Sequence, residues 1–391
     1  MEEVLQEELE KNHEGYCRFW DIFGRVMRPA LRLVFGYRGE MIPKLEGPAL
    51  ILYNHTTDLD FAFVSASSKT KGYFVITSTV ERKGRIGKWA AKRFHLILHD
   101  KGGSGIDTVR TMLERLKWGY GIVLAPEGNR SFNGETCPIP VSTGKLARIS
   151  GATLVTYRIS GGYLTTPRWG RGIRRGRMQG RVMGIYSPET LKAMSAREVS
   201  SQVEKDLAID AFDEQKAAPV RFRNRNRAEY LETLIYLCPH CRSFDTMLSK
   251  GDGIRCSCGY SMKYTGYGYL EDPSGRKCTV AVLDKGQKRV LKDIVRRNDG
   301  RYALFSDRLV QKTVEKDGRL TERREVTLTA YKDHIKIDDI EIPWEKLQAV
   351  TIVQRNMLIL HIKGHEEHFE YTGSPRFNAV KYMDLFSAAK E

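Results

Sequence analysis

The segment LILYNHTTDLDF, residues 50–61, joins a short apolar run to a histidine and a carboxylate. The apolar run ends at Asn54-His55, and Asp60 follows the histidine by five residues, just before a second apolar run. Histidine is the natural general base near neutral pH. A carboxylate on the donor nitrogen of its ring fixes the tautomer and stabilises the imidazolium that forms on proton capture. The segment therefore predicts a strand whose end carries a general base, His55, oriented by Asp60.

The residues alone leave other interpretations of this segment open. A helix that begins near Thr56 or Thr57 would put Asp60 about one turn in, where its side chain can fold back towards His55. Asp58 is the competing carboxylate, and its other role would be to cap that helix. A histidine at a strand end can also be purely structural. No serine or cysteine stands out as a nucleophile nearby, which favours direct transfer, with the base activating a hydroxyl of the substrate itself.

The sequence around this segment alternates between strand-like and helix-like stretches from residue 37 to about 190. The strand-like stretches read ALILYN, YFVITS, HLILH, GIVLAP and TLVTYRI, and TVRTMLERLKWG has apolar residues at helical spacing. Strands that alternate with helices predict an α/β domain with a mostly parallel sheet. Ser195 and Glu198 then form a capping-box pattern, which predicts a charged helix running to about residue 213. We expect this domain to span residues 37–215.

A second polar block follows another strand-like run, in GIVLAPEGNRSFNGE at residues 121–135. Loops at the carboxyl ends of strands are where α/β proteins build their sites. Gly128 allows a ligand to approach the backbone closely, and Arg130 offers a planar, permanently charged fork suited to phosphate. Glu127 has two candidate roles, binding a hydroxyl or orienting Arg130. On its own, the block could equally be a turn with a surface ion pair.

Together the two blocks resemble the glycerolipid (lysophosphatidic acid) acyltransferases, whose marks are N-H-x4-D and P-E-G-T-R-S. In this chain they read Asn54-His55-x4-Asp60 and Pro126-Glu127-Gly128-Asn129-Arg130-Ser131. The likeness covers roughly residues 25–215. The chain departs from the family at Asn129, where the family has threonine. It also departs in the block LILHDKGG, where the family's arginine position holds His99, with Lys101 two residues on.

The resemblance implies an O-acyltransferase that takes a fatty acyl group from acyl-CoA or an acyl carrier protein. His55 would take the proton from a free hydroxyl of the acceptor, Asp60 would orient His55, and the hydroxyl oxygen would attack the acyl thioester. The implied acceptor is a lysophospholipid, foremost 1-acyl-glycerol-3-phosphate, which would give phosphatidic acid. A different lysolipid is the alternative, because His99 stands where the family has arginine, and the head group of the acceptor is then less well defined. The residues implied in binding the acceptor are Glu127, Gly128, Asn129, Arg130, Ser131, His99 and Lys101.

The charge of the chain and two arginine-rich segments point to an anionic partner. The formal net charge is +16 over 391 residues, which suits anionic lipid, phosphorylated substrates or nucleic acid. Residues 16–36 predict a basic amphipathic helix, kinked or divided at Pro29, that lies in a bilayer interface or packs on its own domain. We assign residues 1–36 to this segment. Residues 167–181 carry six arginines around a tryptophan, and an anionic lipid or the acyl donor is favoured as their partner over a solvated loop.

The sequence predicts a peripheral protein rather than a secreted or membrane-spanning one. The first residues, MEEVLQEELEKNHEG, are acidic and polar, unlike a secretory signal. No apolar run reaches the roughly 18 residues that a spanning helix needs. We therefore expect a location on the cytoplasmic side of a membrane, and we do not expect nucleic acid as a partner.

Four of the seven cysteines lie close together, in CPHC and CSCG. Two close pairs on short turns form a tetrahedral thiolate site of zinc-ribbon type, closed to substrate and therefore structural. The predicted zinc ligands are Cys238, Cys241, Cys256 and Cys258, with His240 as an alternative, in a module over residues 228–270. The stretch RFRNRNR, residues 221–227, is interpreted as a linker before it or as the start of an exposed helix. Zinc ribbons also bind nucleic acid, so the alternative function is a nucleic-acid-binding protein with an inactive acyltransferase fold.

The last part of the chain, residues 280–391, is strand-like and ends with the helical stretch PRFNAVKYMDLFSAAK. Runs such as YALFSDRLVQKTV and NMLILHIKG alternate with turn signals. Several antiparallel strands followed by one helix predict a mainly β domain, a small barrel or bent sandwich of pleckstrin-homology type. The predicted fold class is therefore an α/β acyltransferase-type domain, a small zinc ribbon and a mainly β C-terminal domain.

Overall fold

A computed structural model describes residues 2–78, 80, 84–99, 105–315, 320–365 and 367–390. The chain divides into two compact units, Met1–Pro167 with Ile173–Arg223 and Arg168–Gly172 with Asn224–Glu391. The second unit resumes at Asn224, inside the stretch interpreted as a linker. The finer division into four domains stays a prediction.

The first unit is built on a seven-stranded sheet that is parallel except for one pair. The strands are β1 (Tyr37–Gly39), β2 (Ala49–Tyr53), β3 (Gly72–Thr77), β4 (Ile97–His99), β5 (Gly121–Leu124), β6 (Thr153–Ser160) and β7 (Met178–Tyr186). They lie in the order β1-β7-β6-β2-β5-β3-β4, and only β6 and β7 run antiparallel. Every residue of the central strand β2 is buried, as an apolar run in a parallel sheet requires. The predicted α/β class with a mostly parallel sheet is confirmed.

Nine helices of the first unit are found among its described residues. They are α1 (Glu2–Phe35), α2 (Asp60–Ala66), α3 (Gly84–Arg93), α4 (Ile106–Lys117), α5 (Ser142–Ile149), α6 (Gly162–Thr165), α7 (Pro188–Ala193), α8 (Ala196–Leu207) and α9 (Ala211–Ala217). α1 continues through Pro29, so the division of that helix is wrong. Pro29 is exposed, and the carbonyl one turn earlier that loses its N–H partner can be hydrated.

The capping box at Ser195 is confirmed, because its side chain accepts from the N–H of Glu198 while the Glu198 carboxylate accepts from the N–H of Ser195. The charged helix predicted to reach residue 213 ends earlier, at Leu207. A separate helix, α9, starts after Asp210, whose side chain caps it by accepting from two N–H groups. The Asp210 cap is the reason that one predicted helix is two.

The second unit contains two antiparallel sheets, two α-helices and two short 3-10 helices, Leu231–Thr233 and Trp344–Lys346, among its described residues. The strands of the smaller sheet are β8 (Met247–Lys250), β9 (Gly253–Cys256), β10 (Ser261–Tyr264), β11 (Tyr269–Glu271) and β12 (Lys277–Thr279), followed by α10 (Val280–Arg297). The strands of the larger sheet are β13 (Phe305–Val314), β14 (Leu320–Ala330), β15 (His334–Ile337), β16 (Ile340–Pro343), β17 (Leu347–Val353), β18 (Met357–Ile362) and β19 (His368–Thr372), followed by α11 (Val380–Ala389). The mainly β C-terminal region with a final helix is confirmed, and its likeness to a pleckstrin-homology domain stays a prediction.

Candidate active site and metal centre

The end of the central strand β2 is fixed by Asn54, which is fully buried. Its side-chain amide donates to the carbonyl of Ile159 on β6 at 3.0 Å, and its Oδ1 accepts from the N–H of Ile159 at 2.6 Å. Through these two bonds, the Asn54 side chain pairs with the backbone of β6 just beyond the last residue of β2. The next residue, His55, therefore leaves the sheet at a defined point, the carboxyl end of the central strand.

The Asp60 carboxylate forms hydrogen bonds with the His55 ring and with the turn that follows it. Nδ1 of His55 lies 2.8 Å from Oδ2 of Asp60. The N–H groups of Thr56 and Thr57 donate to the same carboxylate at 2.8 and 2.9 Å, and the Thr57 hydroxyl donates to Oδ1 at 2.8 Å. α2 begins at Asp60 rather than near Thr56 or Thr57, because the carboxylate gathers these N–H groups into a turn ahead of the helix.

The contacts define which nitrogen of His55 can act as a base. The Asp60 carboxylate already accepts from several donors, so the nitrogen that faces it, Nδ1, is assigned the ring proton. Nε2 then keeps the lone pair. The His55 side chain is 29% exposed, whereas that of Asp60 is 1% exposed. The arrangement is a buried carboxylate behind an imidazole whose accepting nitrogen a substrate can approach.

Glu127 ties the second polar block to the first. Its Oε1 accepts from the N–H of His55 at 2.8 Å, and its Oε2 accepts from the N–H of Cys137 at 2.7 Å. Burial raises the pKa of Glu127 to about 8, an effect that these two N–H donors oppose. Glu127 thus holds the backbone of the catalytic candidate from the far side of its turn.

Arg130 and Ser131 also contact the turn that carries His55. Nε of Arg130 donates to the carbonyl of Thr56 at 2.9 Å, and Nη1 lies 2.7 Å from Oδ2 of Asp58. The Arg130 side chain is only 9% exposed. Asp58 therefore pairs with Arg130 and does not cap α2, whose N-cap residue makes no side-chain bond. The N–H of Ser131 donates to the carbonyl of His55 at 3.0 Å, and its side chain is buried.

The remaining residues of the predicted acceptor site have different positions. Gly128 is exposed with a φ of 64°, and Asn129 beside it is half-buried. His99 ends β4, which is at the edge of the sheet and separated from β2 by β5 and β3. Its Nδ1 is 3.4 Å from the hydroxyl of Thr108. Lys101 lies outside the described residues. The structure brings the two motifs together and leaves His99 at the end of the edge strand.

Two features of the site were missed from the sequence. Thr56 and Thr57 are donors to Asp60, and the composition of the TTDLD stretch, typical of a turn that binds its own backbone, could have indicated this. The contact between Glu127 and the N–H of Cys137 joins residues ten apart through a backbone group, for which the sequence carries no signal.

The hydroxyl groups next to His55 are already engaged. Thr57 donates to Asp60, and Ser131 donates to the carbonyl of Glu135 at 2.7 Å. Neither is presented to the imidazole as the serine of a catalytic triad would be. The site therefore fits a base that acts directly on a hydroxyl of the substrate.

The four clustered cysteines converge in the second unit. All four Sγ atoms lie within 4.8 Å of one another, with 3.9 Å between Cys238 and Cys258 and 3.7 Å between Cys241 and Cys256. A tetrahedral zinc site with Zn–S bonds of about 2.3 Å has sulfur atoms about 3.8 Å apart. His240 stacks on Tyr260, and its Nδ1 is 3.9 Å from Sγ of Cys258. The donor set fits a tetrahedral metal ion held by four thiolates.

Comparisons with known proteins give one family model and ten chains of solved structures, two of which are described below. Residues 35–160 match the family model described as Acyltransferase, whereas no curated protein matches the chain. The 1-acyl-sn-glycerophosphate (LPA) acyltransferase PlsC from Thermotoga maritima aligns at 18% identity with a TM-score of 0.43, covering 57% of this chain and 100% of that one. A structure on the PH and C1 domains of the Vav1 exchange factor aligns at 12% identity with a TM-score of 0.17, covering 28% and 34%.

The residues matched by the family model include both polar blocks, from the histidine at the end of β2 to the loop that follows β5. They also include the strands that position these blocks at one edge of the sheet. The part of the chain that is similar to the Acyltransferase family is therefore the part of the first unit that carries both polar blocks.

Proposed function

We propose that the chain is an O-acyltransferase that moves a fatty acyl group from acyl-CoA or an acyl carrier protein to a free hydroxyl of a lysophospholipid. The acceptor that we propose first is 1-acyl-glycerol-3-phosphate, with phosphatidic acid as the product. The observation that carries the proposal is the pair of His55 and Asp60 at 2.8 Å, at the end of the central strand and within the matched residues.

In the proposed reaction, Nε2 of His55 accepts the proton of the acceptor hydroxyl as its oxygen attacks the carbonyl carbon of the thioester. The new C–O bond forms, the C–S bond breaks, and the departing thiolate takes the proton back from the imidazolium. The products are an ester and a free thiol. Asp60 keeps Nδ1 protonated and stabilises the positive charge that the ring carries between the two proton transfers.

The contacts support a different role for two residues of the second block than the acceptor binding that the resemblance implied. Arg130 and Glu127 are buried and bonded to the turn at residues 55–58, so we propose that they position His55. The more accessible part of this loop is Gly128 with Asn129, and we propose that these two residues meet the acceptor head group. Gly128 has open space around the position of a Cβ atom, which leaves room for a ligand.

Helix α1 supports a membrane surface as the place of reaction. One face packs on the domain through Tyr16, Trp20, Leu31 and Phe35, all buried. The opposite face exposes an apolar stripe, defined as Ile22, Val26 and Leu33, whose side chains are 53–68% exposed. Arg18, Arg25 and Arg32, spaced by seven residues, follow one side of this stripe. We propose that the stripe inserts into an anionic bilayer interface, where the arginines meet lipid phosphates.

Two observations qualify the predicted membrane contacts. No helix among the described residues has the length and apolar character to cross a bilayer. The arginine-rich stretch at residues 167–181 is not uniformly accessible, because Arg168 and Arg174 are buried. Arg168 donates to the carbonyls of Ile352 and Gln354. The prediction that all six arginines face lipid or the donor is wrong for these two, whereas Arg171, Arg175, Arg177 and Arg181 are exposed.

We propose that Cys238, Cys241, Cys256 and Cys258 hold one structural zinc ion. When bound, zinc would crosslink the turn at residues 238–241 to the turn between β9 and β10. Four thiolates fill a tetrahedral shell and leave no coordination position for a substrate. We therefore propose no part for the metal in acyl transfer.

The test is transfer from labelled acyl-CoA and from an acylated carrier protein to a panel of lysolipids that includes lysophosphatidic acid. We expect ester formation by the full chain and a loss of roughly two to four orders of magnitude in His55→Ala. His99→Ala removes an imidazole at the end of the edge strand, away from the turn of His55, and is the matched control, in which we expect transfer to continue. Undiminished transfer in His55→Ala would refute the mechanism. A folded protein that transfers to no acceptor from either donor would favour the nucleic-acid-binding alternative.

A further inference from the structure

A cleft of about 640 Å³ opens on the first unit at the edge of the sheet opposite His55. One wall is the middle of α1, from His13 to Arg28. The other walls are the loops that lead into β2, β3 and β5, at residues 44–47, 68–71 and 119–121. These loops lie at the amino ends of parallel strands, whereas His55 follows the carboxyl end of β2. The cleft is therefore separate from the site that carries the acyltransferase motifs.

Positive charge dominates the lining of this cleft. Its cationic side chains are Arg25, Arg28, Lys44, Lys69 and Lys71, and its single carboxylate is Asp21. The cations come from α1 and from two loops distant in sequence, so the fold, not one basic run, assembles them. A solvated basic face would normally mix both signs of charge, whereas here five of the six charged side chains that line the concave surface are cationic.

The cleft's cations differ in how far the protein itself neutralises them. Lys71 pairs with Asp21 at 2.9 Å and donates to the carbonyl of Ser68, and Arg28 donates to the carbonyl of Ala66. The side chains of Arg25, Lys44 and Lys69 make no hydrogen bond or ion pair with any residue that the structure describes. These three cations line the cleft without a partner among the described residues, so their donors are available to a ligand there.

We propose that this cleft binds a phosphate-bearing ligand, at a site distinct from the acyl acceptor site at His55. Phosphate presents several charged oxygens at once, and lysine and arginine are the side chains that bind it best. Gathering such cations in a concave surface raises the local concentration of anions. The phosphate has two candidate sources, a membrane lipid head group or a soluble phosphate compound. Arg25 lies between the cleft and the apolar stripe of α1, so either source can reach it.

The test measures binding and uses no acyl transfer, so its failure is distinct from failure of the proposed function. Inorganic phosphate and glycerol 3-phosphate are titrated into the full chain by calorimetry. Sedimentation with phosphatidylcholine vesicles, with and without phosphatidylglycerol, tests the lipid source. Lys44→Gln/Lys69→Gln removes two unpaired cations. Lys192→Gln/Lys205→Gln, on α7 and α8, removes the same charge from exposed positions outside the cleft.

We expect the cleft variant to weaken binding of its preferred probe about tenfold or more, from two lost charge-assisted bonds, and the control variant to change it less than about twofold. Asp21→Asn should have the opposite sign and tighten binding, because it removes the only carboxylate and releases Lys71. Binding of the soluble probes identifies a soluble phosphate ligand, and binding of anionic vesicles alone identifies a lipid. No binding of any probe, or equal losses in both double variants, would overturn the inference.

Discussion

At the scale of single residues, the site positions one imidazole from both sides of its turn. Asn54 fixes the strand before His55, and Asp60 holds its ring and the two following N–H groups. Glu127 and Arg130 hold the backbone of the same turn from the second block. A small displacement of a base relative to its substrate is costly in rate, so we expect residues that never touch substrate to matter for activity.

Asp60→Asn tests whether the carboxylate sets the tautomer of His55. An asparagine amide can donate to Nδ1, which would move the ring proton to Nε2 and remove the base. We expect kcat to fall by roughly two to four orders of magnitude with little change in KM. Asp58→Asn is the matched control, two residues away and 81% exposed, which loses only the ion pair with Arg130. Equal losses of kcat in the two variants would contradict an orienting role for Asp60.

Glu127→Gln tests the buried carboxyl through the pH dependence of stability. The pKa of Glu127 is raised from 4.5 to about 8 in the folded chain. The wild type therefore keeps a proton that the unfolded chain loses, and its stability falls as pH rises through this window. Glutamine does not titrate, so we expect the stability difference between the variant and the wild type to shift in favour of the variant by at least about 1 kcal/mol from about pH 5 to pH 8.

Chemical denaturation at both pH values measures this difference. Glu204→Gln, which removes an exposed carboxylate on α8, should show no comparable shift. A constant stability difference between Glu127→Gln and the wild type across the window would show that Glu127 is ionised throughout.

Only those contacts of the site that join residues close together in the sequence could be predicted. The interval between His55 and Asp60 is short enough for one turn to join them, so their contact was visible in the sequence. The sequence left Arg130 open to a ligand or to a surface ion pair, and only the fold brings Asp58 to it across 72 residues. Which residues hold the turn and which face a ligand is decided by tertiary contacts, and the sequence does not contain these.

At the scale of elements, the hydrophobic patterning predicted five of the seven strands, β2 to β6, and misplaced a helix boundary. Buried strands of a parallel sheet are continuous apolar runs and are recognisable in isolation. The strands β1 and β7 were missed, because they are only partly buried and their sequences carry no such run. The break between α8 and α9 has no glycine or proline, so the charged helix seemed continuous. Asp210 was the available signal, because aspartate is a preferred N-cap residue.

Helix α1 gives a prediction at this scale, because it is apolar on two faces and only one of them packs on the domain. Val26→Ser/Leu33→Ser removes two exposed side chains of the apolar stripe without touching the buried face. We expect binding to vesicles containing phosphatidylglycerol to weaken at least tenfold, since each buried CH₂ contributes about 0.8 kcal/mol. Vesicle sedimentation measures this loss.

The matched control for the stripe is Ile149→Ser/Ile185→Ser, which removes two exposed apolar side chains of the same unit at positions off α1. It should bind vesicles like the wild type. If both double variants lost binding equally, the interaction would depend on general surface hydrophobicity, and α1 would not be the membrane-binding element.

At the scale of the whole molecule, the candidate catalytic site and the candidate metal site lie in different units. The residues around His55 belong to the first unit, and the four clustered cysteines belong to the second. The cysteine spacing predicted this cluster because ligands on two short turns need few residues to converge. The larger β sheet of the second unit carries no comparable local motif that would indicate a ligand. Its strand-like sequence pattern indicates only a fold.

Removal of the metal tests whether the two sites are independent. We expect one zinc ion per full chain by elemental analysis, and its loss in Cys256→Ser, because three thiolates leave the tetrahedral shell incomplete. Cys278→Ser, which changes a half-buried cysteine outside the cluster, should keep its zinc. After chelation, amide hydrogen exchange should accelerate over residues 238–264, since the two turns lose their crosslink, while acyl transfer by His55 persists. A loss of acyl transfer in proportion to zinc release would contradict a purely structural role for the metal. Unchanged amide hydrogen exchange over residues 238–264 would show that the ribbon is stable without zinc.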